Sequence, residues 1–234
     1  MRIEPHGVGS ILHVIKRGAR GMDIVRDERD RHRFGTLLFY LNDSFSDPNW
    51  IENLKFCRPF ERPEHWPERE PLVRILAWTL LSNHFHLLLE EIREGGTAKF
   101  MQRLCGSMSA AFNAKYSETG SIFQGPYKSK TVDGDAYLRY LAFYIQVKNV
   151  LDLYPGGLAK TIKHFEKAWE WALHYPYSSL CAYALDIDSP IIEKEFLLEL
   201  YSDREVFKKE AREMFMLHIQ HHDEKFSPFL LESW

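Results

Sequence analysis

The chain has 234 residues, of which 45% are hydrophobic, and a formal net charge of -3 at pH 7. This size and composition predict a globular protein with either one substantial core or a domain plus an appendage. The nearly balanced charge excludes a uniformly basic surface, so any nucleic-acid contact must be a local patch.

The first 41 residues predict a strand, a basic loop and a helix. Residues 10–15 are predicted to form the strand, and the loop at 16–21 carries Lys16, Arg17 and Arg20 together with two glycines. Such a loop can bring cations and backbone N–H groups close to phosphate, although it can equally be a solvated turn. Residues 27–41 have apolar side chains at helical spacing, which predicts a helix.

Residues 42–71 differ from their surroundings, because they are rich in Pro, Asp, Glu and Arg. We predict an insertion with one short helix near residues 50–56. Its aromatic side chains either tuck onto the domain or offer faces on which bases can stack.

The next predicted element is an antiparallel hairpin formed by residues 72–81 and 84–91. Alternate residues of a strand point the same way, so His84 and His86 share one face and Phe85 lies on the other. Imidazoles roughly 7 Å apart at Cα can converge on one divalent metal ion. Equally, they can be two half-buried histidines that hydrogen-bond to the backbone.

The elements that follow are a helix at 98–116, a β-like segment at 127–133, a helix at 136–149 and a charged helix at 193–220. Lys128 and Lys130 share one face of the β-like segment. The order β-α-β-β-α-β predicts an α+β, ferredoxin-like split β-α-β antiparallel sheet. We expect helices to cover one sheet face and to leave the other face open to a ligand.

The helical segments contain one tyrosine-rich stripe and one group of histidines. Along residues 136–149 an apolar stripe is accompanied by a second stripe of Tyr137, Tyr140, Tyr144 and Lys148. By itself such a stripe is more often packing than chemistry. Near the C-terminus, His218, His221 and His222 are interpreted as a solvated helix end.

Four segments in register resemble one known family. They are its first strand and loop (12–18), its histidine–hydrophobe–histidine signature (80–90), its turn before the fourth strand (123–129) and its nucleophile helix (137–145). The family is the IS200-like transposases, specifically the group associated with repetitive extragenic palindromes. The similarity extends over about residues 10–185. We therefore predict a transposase domain at 1–160, which includes the insertion at 42–71, and a C-terminal helical extension at 161–234.

The resemblance implies a single-strand DNA endonuclease and strand-transferase that acts on hairpin-containing DNA. His84 and His86 would hold Mg²⁺ or Mn²⁺, and Tyr144 would attack a phosphodiester to give a 5′-phosphotyrosine and a free 3′-OH. The expected DNA-binding residues are Lys16, Arg17, Arg20, Lys128 and Lys130.

The expected surroundings of the protein follow from the same observations. It would act as a monomer or homodimer, with single-stranded or hairpin DNA as its partner. Apolar runs shorter than a membrane span predict no membrane association. Cys57, Cys105 and Cys181 form no metal or disulfide pattern, and the first residues carry no signal-peptide pattern, so we expect a cytoplasmic protein.

One departure from the family leaves three alternatives open. The family often carries Gln or Asn four residues after the nucleophile, where this chain has Lys148, and a protonated lysine cannot bind a metal. Lys148 can contact the phosphate or favour the phenolate of the nucleophile. Asn149 or Gln146 can bind the metal if the helix is distorted. Otherwise the site is weakened, and the protein binds DNA hairpins without cutting them.

A further alternative is a metal phosphoesterase that uses the histidine pair and water. In that reaction no covalent tyrosine adduct would form.

Overall fold

The structure is a computed structural model that describes residues 6–200 and 204–221. Four strands form one antiparallel sheet in the order β2-β3-β1-β4. They are β1 (Ile11–Arg17), β2 (Val73–Leu80), β3 (His84–Glu91) and β4 (Lys128–Thr131). The predicted α+β class with a split β-α-β antiparallel sheet is confirmed.

One face of the sheet packs against two helices, α1 (Glu28–Tyr40) and α3 (Gly96–Tyr116). The α1 helix begins where predicted, because the Asp27 carboxylate accepts a hydrogen bond of 3.0 Å from the backbone N–H of Asp30. The strands contribute alternate apolar side chains to this face, including Val14, Phe85 and Leu87, which are all fully buried. The α1/α3 face is therefore an ordinary hydrophobic core.

The insertion contains a short helix, α2 (Trp50–Asn53), followed by a 3-10 turn (Leu54–Phe56). Trp66 and Phe60 pack on the Phe39 and Tyr40 side chains of α1, so these aromatics tuck onto the domain as predicted.

The second face of the sheet is also covered by helices, so the prediction of an open face is wrong. The covering elements come from the C-terminal half of the chain. They are α4 (Asp135–Phe143), a π-helical turn (Tyr144–Lys148), α5 (Asn149–Leu151), α6 (Gly157–Lys163), α7 (Phe165–Leu173), α8 (Leu180–Ala184), α9 (Glu195–Leu198) and α10 (Arg204–His221). Large side chains such as Trp169, Leu180 and Phe215 pack with α4 in one hydrophobic core. A helix can bury its apolar side only by packing against other elements, so these helices collect on the sheet. The predicted boundary near residue 160 stays a prediction.

The helix predicted at 136–149 is interrupted by the π turn. The N–H of Asn149 donates to the carbonyl of Tyr144, five residues earlier, instead of to the fourth residue back. The hydroxyl of Thr79 on β2 donates to the carbonyl of Ile145 inside this turn. A side chain that enters the hydrogen-bond ladder is a known cause of such irregularities.

The helix predicted at 193–220 comprises α9 and α10 in the described residues. None of the helices described at 6–200 and 204–221 is long and apolar enough to span a membrane.

Candidate active site

The two histidines of β3 lie on the second face of the sheet, beneath the π turn. His86 is paired in register with Ile15 of β1 on one side and with Thr79 of β2 on the other. It is fully buried, whereas His84 at the strand end is partly exposed. Their ring centroids are 5.0 Å apart with the planes at 71°. The predicted shared face is therefore present.

The Nδ1 atoms of both rings are held by neighbouring side chains. The Asn83 Oδ1 lies 2.6 Å from Nδ1 of His84, and an amide oxygen can only accept, so Nδ1 carries the proton. The Nε2 of His13 lies 2.9 Å from Nδ1 of His86, and the rings stack with centroids 5.2 Å apart. If His86 donates to His13, both histidines of β3 present the Nε2 lone pair, which is the nitrogen form that metals bind.

Tyr144 lies directly above this pair. Its ring is 5.8 Å from the ring of His86 in an edge-on arrangement, and the residue is only 1% exposed. The ammonium of Lys148 is 5.0 Å from the centroid of the Tyr144 ring and forms a 2.7 Å ion pair with Asp152. A phenol, a cation and an imidazole thus lie close together, with the phenol and the imidazole buried and the cation partly exposed.

Two amide side chains from the same segment are buried without a full set of partners. Neither amide atom of Gln146 has a hydrogen-bond partner among the described residues, and Nδ2 of Asn149 also has none. Gln146 is fully buried and Asn149 is 2% exposed. Buried polar groups are nearly always satisfied, so such atoms indicate a missing partner or a destabilising contact.

The π turn changes which residue lies one helical turn after Tyr144. In an α-helix it would be Lys148, four positions on, but the hydrogen bond from Asn149 to Tyr144 makes this turn one residue longer. The helix is therefore distorted, which is the condition under which the sequence left Asn149 or Gln146 as candidate metal ligands, and the Lys148 ammonium still lies over the Tyr144 ring.

The five cations predicted to contact DNA do not form one patch. Lys16 is buried on the α1/α3 face, where its ammonium donates to the carbonyl of Gly125 and lies 5.2 Å from the Phe123 ring. Burial lowers the pKa of Lys16 below its usual value. A buried ammonium that already has a protein partner is poorly placed for phosphate.

The other predicted cations are more accessible. Arg20 is exposed in the loop after β1, and Arg17 is partly exposed at the end of that strand. Lys128 and Lys130 pair in register with Ile15 and His13, so they lie on the histidine side of the sheet, towards its β4 edge. Their DNA-binding role stays a prediction.

Sequence reasoning missed two contributors to this site. His13 was part of the family resemblance but was given no role, although alternation along β1 places it on the histidine face. His218 was interpreted as solvated. Its ring instead lies 6.2 Å from that of Tyr144, and its Nδ1 is 3.2 Å from the Tyr140 hydroxyl. Residue 222 and the side chain of residue 221 lie outside the described part of the chain.

The fold and the site define an α+β protein whose sheet carries a histidine–hydrophobe–histidine pair opposite a helix-borne tyrosine. The family model described as "Transposase IS200 like" matches residues 68–148, which contain both histidines and Tyr144. The predicted resemblance to IS200-like transposases is thereby confirmed for this part of the chain.

The comparison with solved structures found a chain described as a REP-associated tyrosine transposase bound to a REP hairpin. The match has a TM-score of 0.44 and 12% identity, and it covers 83% of this chain and 94% of that chain. No curated protein matches the sequence.

Proposed function

We propose that the protein is a transposase that cleaves and rejoins single-stranded, hairpin-containing DNA through a covalent bond to Tyr144. The observation that carries this proposal is the 5.8 Å distance between the rings of His86 and Tyr144. It brings the two family motifs, which are nearly sixty residues apart in sequence, to one point.

His84 and His86 would hold Mg²⁺ or Mn²⁺, with Asn149 as a third ligand. His84 presents the required nitrogen form, and His86 does so when its Nδ1 donates to His13. An Asn amide can turn by about 180° so that its oxygen takes the place of the unpartnered nitrogen. Among the described residues, no group of three or more His, Cys, Asp or Glu could hold a metal ion. The donors of His84, His86 and Asn149 would leave coordination positions open, so they suit an ion whose coordination is completed by water and phosphate oxygens. A bound ion would neutralise charge on the scissile phosphate and orient it.

The covalent step exchanges one phosphate ester for another. The phenol oxygen of Tyr144 loses its proton and forms a bond to phosphorus, while the bond from phosphorus to the 3′ oxygen breaks and that oxygen takes up a proton. The products are a 5′-phosphotyrosine and a free 3′-OH. Attack by a second 3′-OH reverses these changes, so rejoining needs no ATP.

Lys148 would support this step through the positive charge of its ammonium and would not bind the metal. Its ammonium lies 5.0 Å from the Tyr144 ring centroid, where a cation favours a negatively charged phenolate or phosphate. The ion pair with Asp152 holds the ammonium in place.

DNA can reach this site only if part of its cover moves, because His86 and Tyr144 are almost completely buried. The α10 helix carries His218 against the Tyr144 ring. We therefore propose that α10 separates from α4 when DNA binds.

The test is to incubate the protein with end-labelled hairpin single-stranded DNA and Mn²⁺ and to separate the products on a denaturing gel. We expect a covalent protein–DNA band that is lost in Tyr144→Phe. Tyr140→Phe is the matched control, since Tyr140 lies one turn earlier on α4 and is also buried. It should keep the adduct.

Two other outcomes would replace this proposal. Binding without cleavage by the wild-type protein would favour a DNA-hairpin-binding protein, as the departure at Lys148 suggests. Cleavage that survives Tyr144→Phe would favour hydrolysis by water and would remove Tyr144 from the chemistry.

A further inference from the structure

A groove between α1 and the insertion lies on the side of the sheet opposite to Tyr144. It has a volume of about 760 Å³, within the range of pockets that hold small ligands. Its walls come from α1, from α2 and the 3-10 turn after it, and from the segment around Tyr177. The insertion and α1 together thus supply most of the lining of the groove.

The charge of the groove is strongly biased. Its lining includes Arg29, Arg31, Arg33, Lys55 and Arg58, and no Asp or Glu is among the described residues that line it. The chain as a whole carries a net charge of -3, so this concentration of cations is local. One of the five is neutralised, because Lys55 forms a 2.5 Å ion pair with Glu52 outside the groove. The remaining arginines favour an anionic occupant.

Aromatic rings accompany the cations. Trp50 is half-buried in the wall with the Arg33 guanidinium 5.6 Å from its ring, and the Arg31 guanidinium is 5.6 Å from the ring of Tyr177. Phe56 is 96% exposed and is flanked in sequence by the lining residues Lys55 and Cys57. Phe56 does not line the groove itself, but its exposed phenyl ring lies next to two lining residues and offers a face on which a base can stack.

We propose that this groove binds unpaired nucleotides of a nucleic-acid strand, with arginines on the phosphates and aromatic rings on the bases. Only single strands present phosphates and base faces together, whereas a duplex hides its base faces. The inference extends the DNA-binding part of the proposed function to a second surface. It does not depend on Tyr144 or on a metal.

The test measures the fluorescence anisotropy of a labelled oligodeoxythymidine of about twelve nucleotides, a length within the usual range for such sites. The Tyr144→Phe protein in EDTA is used, so cleavage plays no part. We expect Phe56→Ala to weaken binding by about fivefold or more, which is the lower limit for one lost base stack. The matched control is Ile187→Ala, which removes an apolar side chain that is 50% exposed elsewhere.

The cations are tested by the salt dependence of binding. Arg29→Ala combined with Arg58→Ala should reduce the slope of log K against log salt by roughly 1.4, the value for two lost phosphate contacts on a single strand. Both arginines are exposed, so the fold should be unaffected. The control is Lys163→Ala combined with Lys167→Ala, which removes two exposed cations from α6 and α7.

Cys57 gives a direct readout of occupancy, because it lines the groove while Cys181 does not. Bound oligonucleotide should slow alkylation of Cys57 and leave that of Cys181 unchanged. Unchanged affinity in both groove variants would overturn the proposal. So would equal weakening for a blunt duplex, which needs no stacking, or equally strong competition by poly-glutamate, which would indicate an acidic peptide.

Discussion

The two faces of the sheet are built by the same four strands but are buried in different ways. The α1/α3 face buries apolar side chains such as Val14, Phe85 and Leu87, and its buried charged side chains, Lys16 and Glu91, lie near the strand ends. The opposite face buries His13 and His86 under a helical segment that also buries Tyr144. Burying polar groups costs free energy unless each finds a partner. The first face therefore supplies stability, whereas the second gives up some stability to hold reactive groups in place.

If the two faces differ in this way, the substitution with the largest expected effect on the free energy of unfolding lies on the apolar α1/α3 face. Leu87→Ala should lower the free energy of unfolding by about 2–5 kcal/mol, because it removes fully buried methyl groups and leaves a cavity. Denaturant unfolding monitored by circular dichroism measures this. Leu217→Ala, at a side chain that is 53% exposed, should change it by less than about 0.5 kcal/mol. A similarly small loss for Leu87→Ala would show that this face is not the main source of stability.

A smaller effect is expected when the histidine face loses its support. His13→Phe keeps an aromatic ring against His86 but removes the Nε2 that lies 2.9 Å from Nδ1 of His86. Losing such a partner typically weakens metal binding about 10–100-fold. Calorimetric titration with Mn²⁺ measures this without any DNA. His174→Phe, at an exposed position on the C-terminal side of α7, is the control. An unchanged Mn²⁺ affinity in His13→Phe would mean that His13 does not orient His86.

The smallest effects are expected from substitutions of Gln146 and Asn149, the two buried amides of the π-turn region, and they should differ between the two residues. Gln146→Leu should raise the free energy of unfolding by about 1–2 kcal/mol, because it replaces a buried amide that has no partner by an apolar group of similar size. It should leave Mn²⁺ affinity unchanged. Asn149→Leu should weaken Mn²⁺ binding, since we propose its amide as a ligand. The reverse pattern would exchange the roles of Gln146 and Asn149.

Much of the fold could be predicted from sequence, because it depends on local periodicity. Alternation along residues 84–91 predicted the strand and the shared face of the two histidines. The nearness of His13 to His86 depends in addition on the register of β1 against β3. The helices α1 and α3 were predicted to within two residues at each end. These features depend on side-chain direction within single elements, which the order of residues dictates.

Three features of the tertiary structure could not be predicted from local periodicity. The cover on the histidine face depends on α7, α8 and α10, whose packing is set by contacts distant in sequence. The burial of Lys16 depends on Gly125 and Phe123, more than a hundred residues away. The basic groove arises because an insertion without clear periodicity folds back on α1.

The sequence by itself determined the split β-α-β sheet and the pairing of His84 with His86, because a strand repeats its side-chain direction every second residue. Its resemblance to the family also made Tyr144 the candidate nucleophile, which stays a prediction. Only the tertiary structure decided what surrounds these residues. The Thr79 hydroxyl donates to the carbonyl of Ile145 where the helix crosses β2, and in the π turn there the N–H of Asn149 donates to the carbonyl of Tyr144, which shifts the hydrogen-bond register by one residue. Such a shift depends on contacts across the fold, which no local pattern contains.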